Sequence, residues 1–96
     1  MELLVIVCSS TLEDSVMDMF EKAGITSYTR IPEVVGSGKG GGTRLNDEIW
    51  PGVNTLYLVA LAPEPAAALK TWACEYRRDE VREGLKVFSL GLQEII

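Results

Sequence analysis

Val34-Val35-Gly36-Ser37-Gly38-Lys39-Gly40-Gly41-Gly42-Thr43-Arg44 is the stretch on which the fold turns. Gly36 to Gly41 satisfy the G-x-G-x-x-G pattern, which opens a helix in a dinucleotide-binding parallel sheet. Here no helical periodicity follows. Leu45 to Gly52 lead through a Pro-Gly turn signal into Val53–Leu61, a run rich in Leu, Tyr and Val that reads as a strand. Nor does Ser or Thr follow Lys39, so the P-loop pattern is absent. The glycines therefore lie between two strands, and the doubly wound reading fails.

Working outward, Ile25–Val35 reads as the strand before the glycines, with Pro32 marking an edge position or a bulge. Ahead of it, Leu12, Val16, Met19, Phe20 and Ala23 recur at helical spacing, with Asp14, Asp18, Glu21 and Lys22 on the other side. Ser10 and Glu13 have the spacing of a capping box, and Gly24 can close the helix with φ > 0. Leu3–Cys8 is an apolar run too short for a helix and reads as a first strand buried on both faces.

Beyond the third strand, Pro63 and Pro65 mark a second helix start. Its apolar stripe is Ala66, Leu69, Trp72, Ala73 and Tyr76. Glu75–Glu83 reads as a solvated last turn and connection, Leu85–Leu92 as a fourth strand, and residues 93–96 as a short edge segment.

The order is strand-helix-strand twice over, the α+β ferredoxin-like split βαβ arrangement (βαββαβ). It predicts a four-stranded antiparallel sheet with both helices on one face. The third strand sets Leu56, Leu58 and Ala60 against Tyr57, Val59 and Leu61, so both faces are apolar. Two helices cover only one face, which argues for an oligomer.

Composition narrows the function. The chain has 96 residues, a net charge of −5 and no histidine. One domain of this length buries roughly 60–65% of its unfolded surface. An acidic surface without a basic run disfavours nucleic acid. Absence of histidine removes the usual general base and the commonest metal ligand. No Ser-His or Cys-His pair and no acid/base carboxylate spacing point to catalysis, so an enzyme is not expected. Asp47 and Glu48 diverge and make a poor metal site. Cys8 and Cys74 form no CxxC pair, and are expected as buried free thiols of a cytoplasmic protein. The chain opens without the basic start of a signal peptide, and its apolar runs fall short of the roughly 20 residues that cross a bilayer.

Five glycines in seven positions order poorly and bury nothing. Two readings stand: a hairpin tip without a ligand, or a loop whose bare amides and Lys39 hold an anion. Arg30 and Arg44 are surface residues or anion contacts. Trp50, beside Pro51-Gly52, anchors the loop base or stacks on a nucleotide.

Ala23-Gly24-Ile25-Thr26-Ser27-Tyr28-Thr29 followed by Glu33-Val34-Val35-Gly36-Ser37-Gly38-Lys39 resembles the PII family of nitrogen-regulatory proteins, with one residue inserted upstream of the second segment. Gly84-Leu85-Lys86-Val87-Phe88 is similar to the family's phosphate-binding B-loop, with Leu85 where a glycine would stand. The segment between the central strands has no tyrosine, and the C-terminal arginines of the family pattern are missing. The resemblance implies a single domain over 1–96 with a mobile T-loop-like insertion at about 36–52. It also implies a homotrimer and a non-enzymatic signalling role.

An effector, an adenine nucleotide (ADP, ATP or AMP) or another small anion, would be held at subunit clefts by Thr29, Gly36, Gly38, Lys39 and Lys86. Gly40, Gly41, Gly42, Arg44 and Trp50 would dock a transporter or metabolic enzyme. The alternative is a ligand-free or metal-tolerance module of the related CutA type.

Overall fold

The computed structural model describes residues 1–36, 53–79 and 84–96. Strand β1 (Glu2–Ser9) passes through a single 3-10 turn (Ser10–Leu12) into helix α1 (Glu13–Ala23). Strand β2 (Thr29–Val34), strand β3 (Asn54–Leu61), helix α2 (Pro63–Asp79) and strand β4 (Leu85–Gly91) follow. The sheet order is β2-β3-β1-β4, with every neighbouring pair antiparallel. This is the expected split βαβ arrangement.

Alternation along the strands decides which side chains meet the helices. Leu4, Ile6 and Cys8 of β1, Tyr57, Val59 and Leu61 of β3, and Leu85 of β4 are buried on one face. Val16, Met19 and Phe20 of α1 and Ala66, Leu69 and Ala73 of α2 close over them. Phe20 meets Tyr57 edge-on at 5.5 Å, and Tyr28 joins both rings, 5.3 Å from Phe20 and 6.0 Å from Tyr57. Such contacts add to the area they bury.

Helix α1 ends in a Schellman motif. Gly24, at φ 73°, donates its N–H to the Glu21 carbonyl, and Ile25 N–H reaches the Phe20 carbonyl at 2.8 Å. The buried Ile25 side chain then follows Phe20 into the core.

Several expectations are corrected. The Ser10–Glu13 capping box does not form: Ser9 caps the 3-10 turn by accepting from Thr11 N–H, and α1 starts at Glu13 without a side-chain cap. Glu13 is drawn away by partners on the sheet. β2 begins at Thr29, because Ile25 is taken by the helix closure and the core. β4 ends at Gly91, and residues 92–96 form no strand; Leu92 N–H reaches the Met1 carbonyl instead. Cys8 is buried and free as expected, but Cys74 is exposed on α2. It lies outside the stripe set by Leu69, Trp72, Ala73 and Tyr76.

Pro32 does mark an edge and an irregularity. β2 is an outer strand, in register with β3 over Thr29–Ile31 and again at Val34, with a shift between. Glu33 takes φ 58°, a left-handed conformation for a residue with a Cβ.

Candidate functional site

The sheet face away from the helices carries Leu3, Val5 and Val7 of β1, with Leu56 and Leu58 of β3 beside them. Ile31 of β2 and Phe88 and Leu90 of β4 extend the row to both edges. Phe88 is 51% exposed and Leu90 49%. No described helix covers this face. It is apolar from edge to edge, as the alternation in β3 foretold.

Polar candidates stand around its rim. Thr29 opens β2, faces the same side as Leu58, and is exposed. With Ser27 and Tyr28 it borders a shallow depression floored by Leu3, Leu58 and Ala60. Lys86 lies on the opposite outer strand, opposite Val7, and is exposed. Gly36 follows the end of β2, also exposed, and a Cβ there would meet none of the described residues within 4 Å. Steric demand from the described residues therefore does not explain that glycine.

The two segments expected to hold an anion leave the sheet at one end. Val34 pairs with Asn54, Ser9 with Asn54, and Ser9 N–H donates to the Gly84 carbonyl at 3.0 Å. Thus the roots of the 37–52 and 80–83 connections line up along that end. They do not converge. β3 and β1 lie between β2 and β4, so the strand that leads to Gly36 and the strand that carries Lys86 stand three strand spacings apart, about 14 Å. One chain alone does not close a cleft around a phosphate with both. Gly38, Lys39, Gly40, Gly41, Gly42, Arg44 and Trp50 lie outside the described residues, as does the expectation of a poorly ordered loop.

Leu85, which stands where the B-loop pattern has glycine, is buried against the core. The departure from the pattern thus serves packing, while Lys86 beside it turns to the open face.

A polar cluster missed by the sequence reading sits beneath β2. One Glu13 carboxylate oxygen accepts from Arg30 Nε at 3.0 Å and Nη2 at 2.8 Å. The other oxygen accepts from the Thr55 hydroxyl. Arg30 therefore faces the helices as a paired residue. Its charge is held even more firmly by the Glu13 hydrogen bond. Nearby, burial and then the Glu13 charge push the Cys8 thiol up to about 12. Burial and then the Glu13 charge also raise Tyr57, opposed by its interaction with Arg30; the buried hydroxyl makes no hydrogen bond of good geometry among the described residues. The sequence signal was available only in part: Glu13, Arg30 and Thr55 are up to 42 positions apart, so only the strand register brings them together.

At the far end of β1, Glu2 pairs with Lys70 at 2.6 Å and accepts from Ser89 at the same distance. The Lys70 hydrogen bond, followed by that of Ser89, lowers the Glu2 pKa. Among the described residues there is no group of three or more His, Cys, Asp or Glu placed to hold a metal ion. No described helix is long and apolar enough to cross a membrane.

Comparison with solved structures places this geometry among PII-like proteins. CPII from Thiomonas intermedia, bound to ADP, AMP and acetate, is similar at TM-score 0.65 and 19% identity, covering 93% of this chain and 82% of that one. The apo form of the same protein gives TM-score 0.63 at 13% identity, covering 93% and 87%. A putative PII-like signaling protein from Thermus thermophilus gives 0.54 at 23% identity, covering 92% and 82%. Comparison with curated proteins finds no match. The model of the family described as nitrogen regulatory protein P-II matches residues 1–96. With that match spanning every element of the split βαβ sheet, the chain belongs to the nitrogen regulatory protein P-II family.

Proposed function

We infer that the protein is a non-enzymatic regulator that assembles as a trimer. On this reading it binds an adenine nucleotide or another small anion at the clefts between subunits. The observation that carries the reading is the open sheet face. Its apolar row runs from β2 to β4, with Thr29 and Gly36 at one outer strand and Lys86 at the other. If copies of the chain cover one another's open faces, the β2 edge of one subunit meets the β4 edge of the next. That juxtaposition supplies what a single chain lacks: Gly36 with an open amide approach, and Lys86 as a cation for a phosphate or carboxylate.

Structures that share the fold support the ligand class, since CPII is described in complexes with ADP, AMP, bicarbonate and acetate. Gly38 and Lys39 would complete the anion site. Gly40, Gly41, Gly42, Arg44 and Trp50 would meet a target protein, a transporter or metabolic enzyme.

Calorimetry with ADP, AMP and bicarbonate tests the reading. The parent protein binds at least one of them, and Lys86→Ala weakens that binding about 10- to 100-fold, the loss expected for a charge-assisted hydrogen bond. Lys39→Ala does the same. Lack of binding by the parent, or parent-like binding by both variants, sinks the reading.

A further inference from the structure

β2 is held by less backbone than its neighbours. It is an outer strand, Pro32 brings no N–H, and its register with β3 breaks between Ile31 and Val34. Its first five residues are exposed. Side chains must therefore supply much of the fastening, and they come from α1. At the first residue of that helix, Glu13 grips Arg30 of β2 with one oxygen and Thr55 of β3 with the other. β2 leads into the 37–52 connection and β3 leads out of it. A single carboxylate thus ties both strands that flank that connection to the start of α1.

Alternation along β2 carries the restraint to the other face. Arg30 faces the helices while Thr29 and Ile31 face the open side. Fixing the Arg30 side chain therefore fixes the height and twist at which Thr29 is presented. We propose that Glu13 is a positioning residue: its joint grip on Arg30 and Thr55 sets the pose of β2 for ligand binding on the opposite face. The ligand part of this inference rests on the function proposed above.

Hydrogen exchange and ADP calorimetry on the full chain test it, using Glu13→Gln, Arg30→Gln and the double variant. Glu13→Gln keeps the size of the side chain and removes the charge. Exchange of the amides of residues 29–31, 33 and 34 rises about 10-fold in each single variant, and amides of β1 stay within about 2-fold of the parent. The double variant is no looser than either single one, because the two side chains act as one unit. ADP binding weakens about 3- to 10-fold in all three. A role confined to general stability would instead loosen β1 and β2 together, and that result overturns the proposal. So does unchanged exchange in β2. Should Glu13→Gln fail to fold, Arg30→Gln alone decides the matter. If the parent binds none of ADP, AMP and bicarbonate, the ligand part falls with the proposed function, and if it binds AMP or bicarbonate alone that ligand replaces ADP in the calorimetry. The exchange measurement decides in either case whether Glu13 holds β2.

Discussion

At the scale of single residues, burial separates groups that the sequence treats alike. Cys8 is 1% exposed with its thiol pushed up to about 12, whereas Cys74 is exposed. Iodoacetamide at neutral pH should alkylate Cys74 quickly and leave Cys8 untouched until the protein unfolds. Mass spectrometry showing both sites modified at one rate would contradict the burial.

Cys8 also sets an alkaline limit. Its folded value lies above the ordinary 9.0, so the unfolded chain loses that proton first as pH rises. Stability should therefore fall between pH 9 and about 12, and Cys8→Ala should flatten that fall. Tyr57, also raised, acts in the same direction. Its buried hydroxyl has no hydrogen bond of good geometry among the described residues, and its interaction with Arg30 is one that Glu13 already satisfies, so Tyr57→Phe should be neutral or stabilising, by up to about 1 kcal/mol in urea denaturation. A loss beyond about 1.5 kcal/mol would show that the hydroxyl is satisfied after all.

Among the elements, β2 carries the most local conflict. Glu33 holds φ 58° in the bulge, where an L residue meets a backbone cost of about 1–2 kcal/mol. Glycine lacks that cost but loses about 0.5–1 kcal/mol more entropy on folding. Glu33→Gly should therefore stabilise the protein by about 0.5–1 kcal/mol. A destabilised variant would mean that the Glu33 side chain makes up for its backbone. Gly24 is the opposite case at φ 73°, and Gly24→Ala should lower stability by about 1 kcal/mol through the broken Schellman closure.

For the whole molecule, the open sheet face is the feature that a monomer leaves unexplained. Light scattering should give about three times the 10.5 kDa chain mass. Phe88 is half exposed on that face, so Phe88→Glu should break the assembly while circular dichroism remains that of the folded chain. A parent protein that scatters as a monomer would remove the covered-face argument and, with it, the subunit cleft.

The helices, the order of elements along the chain and the identity of the core were legible in the chain itself. Period 3.6 in Leu12–Ala23 and alternation in Val53–Leu61 are local signals, and Gly24 and Pro32 carry their backbone constraints wherever they stand. Membership of the P-II family was also written in short segments, Gly24–Thr29 and Glu33–Lys39. The fate of Glu13 was not. Local spacing favoured a capping box with Ser10, but a charged guanidinium and a hydroxyl from two strands outcompete the Ser10 N–H, which donates to the Val53 carbonyl instead.

The separation of Gly36 from Lys86 was equally hidden. Along the sequence they flank similar glycine-bearing turns, yet strand order puts two whole strands between them. Local sequence determined which residues turn, alternate and cap. Only the tertiary structure decided which charges meet, because that depends on the register of strands far apart in the chain.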